Sequence, residues 1–192
     1  MKLKILKLVA ASVVLSLLAG CIVESVYPFY KPEDLIIDPG LAGRWAEVGK
    51  TNEFWQFTLA GGKSYLLGVV DASETNGFEA HLFRLQQYRF LDLRTSNRVE
   101  YQLPVHLIAK VNRGDTDLSM QFLDYGWLAG LLETNPAVLS HILVPETPDG
   151  TNDAMLFLTA STADLQAFLL KHAIDTNAFT AESAVNLQRI SP

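Results

Sequence analysis

The sequence has a single cysteine in 192 residues, which excludes an intrachain disulfide framework and any multi-cysteine zinc site. Basic side chains are also scarce, 15 Lys and Arg against 21 Asp and Glu. Lys2, Lys4 and Lys7 lie in the first twenty residues, which hold no acid. The remainder carries 12 basic against 21 acidic side chains, a net −9. Such a balance argues against nucleic acid as a partner and against docking on anionic lipid through charge. No apolar run approaches the about 20 residues of a spanning helix. The longest, Leu8 to Ala19, has twelve residues and is interrupted only by Ser12 and Ser16. There is no Gly-x-Ser-x-Gly elbow, no glycine-rich phosphate loop and no Gly-x-Gly-x-x-Gly. Acyl-transfer and nucleotide chemistry therefore lack their usual signatures, and no cofactor is expected. What is abundant is apolar: 49% of the residues are hydrophobic, ample for one folded core.

Residues 1–20 have the cationic start, short apolar run and small-residue end of a secretory signal. Leu18-Ala19-Gly20-Cys21 closes it and resembles the lipobox of bacterial lipoproteins. That resemblance implies cleavage after Gly20, a diacylglyceryl group on the Cys21 sulfur and acylation of the new amino group. One acyl chain holds a protein only marginally, at about 0.8 kcal/mol per buried methylene, whereas two or three hold it for long periods. Ile22 stands where aspartate often marks retention in the inner membrane of enteric bacteria. The analogy therefore implies an outer-membrane lipoprotein facing the periplasm.

Residues 21–40 are expected to form a lipidated tether and 41–192 a single globular domain. Within the tether, Val26-Tyr27-Pro28-Phe29-Tyr30 is too aromatic for a free linker, so its rings are expected to pack on the domain. Pro32-Glu33-Asp34 suits a short helical turn and Asp38-Pro39-Gly40 a turn. Beyond residue 41 the apolar period becomes two. Trp55, Phe57 and Leu59 alternate with polar neighbours, Gly61-Gly62 turns the chain, and Tyr65, Leu67 and Val69 continue the face. Asn76-Gly77 reads as another turn. Strands are expected over 78–85, 88–93, 99–111 and 117–123. Short helices follow over 126–133 and from Pro136 through His141. Then come a strand over 155–159, a helix capped by Ser161 and running to about Ala173, and a closing strand around Val185 and Leu187. The fold class expected is α+β: mainly an antiparallel β meander, curled into a barrel-like sandwich, with short helices in the C-terminal third.

Gly43-Arg44-Trp45 opens the β region and is similar to the Gly-x-Trp signature of lipocalins. In that family the tryptophan closes one end of a barrel and a basic residue packs across it. A buried structural tryptophan is the simpler alternative. The helix-then-strand ending also departs from lipocalins, which close eight strands before their helix. A longer series of blocks resembles a family of small bacterial lipoproteins. Its blocks are Ser25–Tyr30, Asp38–Trp45, Phe78–Leu82, Phe90–Leu93, Pro104–His106 and Leu158–Leu169, in that order. The family brings no known activity, so no catalytic or ligand-binding residue is carried over.

Histidine is the remaining hint of chemistry. His81, His106, His141 and His172 could converge with Asp92 on a metal, but no pair has the i, i+4 spacing of a helical metal motif. Such isolated histidines more often satisfy backbone groups. Asp115 with Asp117, and Asp149 with Asp153, lack the other ligands of a calcium loop and suit solvated turns. The sequence thus leaves two functions. One is a non-enzymatic interaction or assembly module, held on the membrane through Cys21 and presented to an envelope partner. The other is a lipocalin-like carrier of an apolar small molecule, with Trp45 and Trp55 in its core.

Overall fold

The computed structural model describes residues 23–50, 52–70, 75–95, 104–145, 155–182 and 184–190. Eight of its strands form a closed antiparallel barrel: β2 (Gly43–Ala46), β3 (Phe54–Ala60), β4 (Ser64–Val70), β5 (Thr75–Leu85), β6 (Tyr88–Thr95), β7 (His106–Arg113), β8 (Asp117–Phe122) and β11 (Ala184–Ile190). The chain meanders from β2 to β8, β6 pairs with β7, and β11 fills the place between β8 and β2. Closure removes the free strand edges that an open sheet would carry. The strand after the last helix therefore completes the barrel, unlike the lipocalin order, in which the eighth strand precedes the helix.

Between β8 and β11 the chain makes an appendage. It consists of α1 (Tyr125–Thr134), β9 (His141–Val144), β10 (Met155–Leu158) and α2 (Thr162–His172). The N-terminal strand β1 (Val23–Ser25) joins it to the barrel. Ser25 pairs with His106 of β7, and β1 runs parallel to β10 through Val23↔Leu156 and Ser25↔Leu158. β10 then pairs antiparallel with β9.

Strand periodicity fixes which side chains enter each core. Trp45, Phe57, Tyr65, Leu67, Ala80, Leu82, Leu91, Leu93, Ala109, Leu118 and Met120 fill the barrel interior. The alternate residues Phe83, Leu85, Phe90 and Ile108 point outwards, yet they too are buried. They pack against Leu128 and Leu132 of α1 and Leu165, Phe168 and Leu169 of α2. The β5–β7 wall is thus covered on both faces, as its dense apolar runs require.

Local chemistry explains the turns. Gly62 and Lys63 have positive φ at the β3–β4 hairpin, and Gln86 has φ 53° between β5 and β6. Asp124 caps α1 by accepting from the Trp127 N–H at 2.7 Å. Ser161 caps α2 by accepting from the Asp164 N–H at 3.2 Å, while its hydroxyl donates to Asp164 Oδ2 at 2.6 Å. The shorter aspartate thus engages the cap hydroxyl where a glutamate would reach the cap backbone. Lys110 Nζ, from the barrel wall, donates to Ala173 O at the C-terminal end of α2, where a cation complements the helix dipole.

Several expectations need correction. Residues 23–40 are part of the fold. Val23, Phe29 and Leu35 are buried in the outer core, and Leu41 is buried against the barrel interior. The domain therefore includes residues 23–40, because the outer core needs Val23, Phe29 and Leu35, while Ile36 packs against the barrel interior. Asn76 and Gly77 lie inside β5, paired with Val69 and Gly68, and make no turn. Pro136–Val138 is one 3-10 turn, and His141 starts a strand rather than ending a helix. The expected residues 99–103 of the 99–111 strand lie outside the described residues, as do the signal at 1–20 and Cys21.

Candidate functional site

Three of the sequence-selected polar residues meet on the outer wall of β5–β7. His81, Asp92 and His106 project from adjacent strands, with His81 paired to Asp92 and Arg94 paired to His106. Asp92 is completely buried. His106 Nδ1–H donates to its Oδ1 at 2.7 Å, and the Phe29 N–H donates to its Oδ2 at 2.9 Å. A buried carboxylate is costly unless both oxygens are occupied, and here both are. The result is a clamp that ties the N-terminal strap to the barrel.

Around the clamp, the Tyr30 ring stacks on His81 with centroids 4.5 Å apart. His81 Nε2 lies 3.5 Å from Glu79 Oε1, and Arg94 pairs with the other oxygen of Glu79. Burial pushes the His81 pKa down against the pull of Glu79 and Asp92, so the ring is held neutral. Its buried Nδ1 has no hydrogen-bond partner. Burial likewise raises the Tyr30 hydroxyl above its ordinary value, helped by the charges of Asp92 and Glu79.

The remaining histidines are elsewhere. His141, on β9, donates from Nδ1 to Leu139 O at 2.8 Å. His172 ends α2 between the rings of Trp127 and Phe168, and burial lowers its pKa. Among the described residues no group of three His, Cys, Asp or Glu side chains is placed to hold a metal ion. Asp117 accepts from the Thr116 hydroxyl at 3.1 Å in the turn before β8. Asp149 and Asp153 lie outside the described residues. Ser25 is paired opposite His106 in the sheet and would complete a serine–histidine–aspartate series. Its hydroxyl, however, donates to Tyr27 O at 2.7 Å, and the residue is wholly buried. With its proton committed to Tyr27 O, Ser25 serves the same clamp.

A second polar hub holds the same strap. Arg113 donates to Asp38 in a two-pronged pair at 2.8 and 3.0 Å, Arg89 adds a contact at 3.2 Å, and the Tyr65 hydroxyl donates to Asp38 O at 3.0 Å. Burial pushes the Asp38 carboxyl up, but the Arg113 hydrogen bond and charge, the Gly40 N–H and Arg89 outweigh it and hold its pKa below the usual carboxylate range. Gly40 is required here, since a Cβ would lie 2.6 Å from the Arg113 guanidinium. Sequence reasoning saw Asp38 only as a turn former. Its partners are 51 and 75 residues away, and no local pattern signals them.

The Gly-x-Trp element opens β2. Trp45 is fully buried, and its indole N–H donates to Leu41 O at 2.8 Å. Arg189, from β11, lies over the indole ring at 4.3 Å and donates to Ala42 O and Gly40 O. Gly43 has φ +130°, and a Cβ there would lie 2.6 Å from Arg189 Nη1. The glycine thus makes room for the cation that crosses the tryptophan.

A carrier needs an interior void, and among the described residues the central side chains of the barrel leave none beside them. Trp45, Tyr65, Leu91, Ala109 and Met120 have no surface reachable by a water-sized sphere, from inside or outside. Beside Trp55, Val69 and Leu187 there is a depression with a cavity volume of about 10 Å³, framed by Glu47, Lys50 and Glu53. That holds about one water, against several hundred Å³ for a small-molecule site. The closed eight-stranded barrel is nonetheless an architecture compatible with a lipocalin-like carrier. Among the described residues no helix is long and apolar enough to cross a membrane. No family model, no curated protein and no solved structure matches the chain.

Proposed function

We propose that the chain is a lipoprotein of the bacterial cell envelope, held at the outer membrane by lipid on Cys21, which presents a rigid barrel to a partner as a non-enzymatic interaction or assembly module. The observation that carries the module reading is the filled barrel interior, with Trp45, Tyr65 and Phe57 almost wholly inaccessible. The anchor reading rests on the signal-like start and on Leu18-Ala19-Gly20-Cys21. It also suits a chain whose net charge of −9 beyond that signal gains nothing from anionic headgroups.

Cys21→Ser tests the anchor. The variant should keep its signal and lose labelling by an alkyne fatty acid, while equal labelling of variant and wild type would reject lipidation. A pull-down from detergent-solubilised envelopes tests the module, and a stoichiometric envelope protein is the expected outcome. The second reading, an apolar carrier, has the closed barrel and the Trp45–Arg189 contact in its favour. Native mass spectrometry of the same preparation separates the two. A small apolar molecule retained at one per chain would favour the carrier.

A further inference from the structure

Among the described residues, one face of the appendage sheet is largely apolar and exposed. Alternation along β1, β10 and β9 sends Val23, Ser25, Leu156 and Leu158 into the core. It places Glu24, Met155, Phe157, Ile142 and Val144 together on the opposite face. Ile142 is 55% exposed, Val144 40% and Met155 39%, and Leu143, on the edge strand, is 56% exposed. Large apolar side chains gathered on one face call for an occupant.

Where the chain goes next identifies it. Val23 is only 2% exposed, Ser25 is wholly buried, and the Val26 N–H donates to Leu158 O at 3.0 Å, so β1 is pinned. Only Ile22 separates Val23 from Cys21. Two residues reach about 7 Å at most, too little for the domain to stand away from a lipid on Cys21. The parallel register sets Val23 beside Leu156, and Met155 is paired with Val144. The exposed side chains therefore lie at the end of the sheet nearest the anchor.

We propose that this face, Ile142, Val144, Met155 and Phe157, seats on the bilayer surface that the Cys21 lipid enters, so that the barrel stands on the membrane in one orientation. The inference rests on the lipoprotein reading. A bilayer is favoured over a protein partner because the anchor already holds the acyl layer against this face. The contact is intramolecular and needs no further association entropy. Apolar insertion also suits a chain of net charge −9 beyond its signal, which headgroup electrostatics would not draw in. Among the described residues Glu24 is the ionisable one on this face, and burial raises its pKa.

The test uses the full chain matured in bacteria, with the Cys21 sulfur occupied by lipid. Val144→Cys and Met155→Cys are labelled with a fluorophore, and so is Thr58→Cys, an exposed site on β3 four strands round the barrel from β7. The proteins are placed in neutral phosphatidylcholine vesicles doped with a nitroxide-bearing phosphatidylcholine. Seating predicts quenching at 144 and 155 about threefold or more above that at 58, since interfacial burial runs about 5–10 Å deep. Equal quenching at all three sites, on chains whose intact mass carries the lipid, would overturn the inference. So would labels at 144 and 155 shielded from both the lipid quencher and aqueous iodide, which would mean that another protein chain covers the face. An intact mass without lipid would instead sink the lipoprotein reading, and the inference with it.

Discussion

The two cores of this protein share one wall and are held by different forces. The barrel interior is apolar except for Trp45, whose indole N–H donates to Leu41 O, and Tyr65, whose hydroxyl reaches out to Asp38. The outer core is also apolar, but the strap and appendage that build it are fixed by buried polar contacts. Asp92 holds Phe29, Gln166 donates to Phe29 O and to Asp34, the Thr162 hydroxyl donates to Pro28 O, and Lys110 holds the end of α2. A closed sheet specifies its own register, so packing suffices inside it. A strap and two short helices have no such self-consistency, and directional hydrogen bonds fix their place.

The comparison breaks most decisively by removing the strap. A chain begun at residue 41 loses Val23, Phe29 and Leu35, each worth about 1.5–3 kcal/mol of burial. It also strands the Asp92 carboxylate. The loss is of the order of the whole stability of a domain, about 5–15 kcal/mol. Thermal denaturation should show a cooperative transition for a chain begun at Val23 and none for one begun at 41. Equal melting temperatures would make the outer core dispensable.

Single substitutions come next. Phe168→Ala, in the outer core, should cost about 3–5 kcal/mol by denaturant titration. Asp92→Ala should cost a similar amount, about 3–5 kcal/mol, because it leaves the Phe29 N–H and His106 without their buried partner. A cost below 1 kcal/mol for Asp92→Ala would show that the clamp is incidental. Ser161→Ala removes only a cap and should cost about 0.5–2 kcal/mol, clearly less than Phe168→Ala.

The alternating strands of the barrel were legible because each presents one face to the interior, as at Trp55, Phe57, Tyr65, Leu67 and Val69. The helix at Ser161 was legible from its cap and from the spacing of Leu165, Phe168 and Leu169. The packing of the strap's rings was legible, and Phe29 is buried with Tyr30 stacked on His81, but the burial of Val23 and Leu35 was not. The strap's burial comes from single side chains separated by prolines, with no period to detect. His141 was misread because four apolar-flanked residues fit a helix end as well as an edge strand. The clamp was half legible. His81, Asp92 and His106 stood out as residue types, but their meeting depends on strand register, and the Phe29 N–H that completes it has no sequence signal.

The smallest expected effect is pH dependence, which near neutrality should belong to the outer core. Burial lowers the pKa of His81 and His172, so the unfolded chain binds protons that the folded chain resists. Their contribution is present above the ordinary histidine value of about 6.5 and is lost as pH falls through the lower folded values. The melting temperature should therefore decline from pH 7.5 towards 5, and His81→Phe should flatten that decline while keeping the stack on Tyr30. Asp38 acts further down. Its depressed pKa gives stability above the ordinary aspartate range, about pH 4, which is lost as pH falls through the folded value. A steeper decline in His81→Phe than in the wild type would contradict this assignment.

The claim that the barrel is a filled scaffold and not a container is tested most directly by fluorescence. In a chain begun at Val23 and carrying Trp127→Phe, the remaining tryptophans, Trp45 and Trp55, are both residues of the barrel interior. Titration with a nitroxide-labelled fatty acid should give only weak, non-saturating quenching, because the side chains around Trp45 leave no room. Saturable quenching at one molecule per chain would contradict the account and establish a ligand inside the barrel.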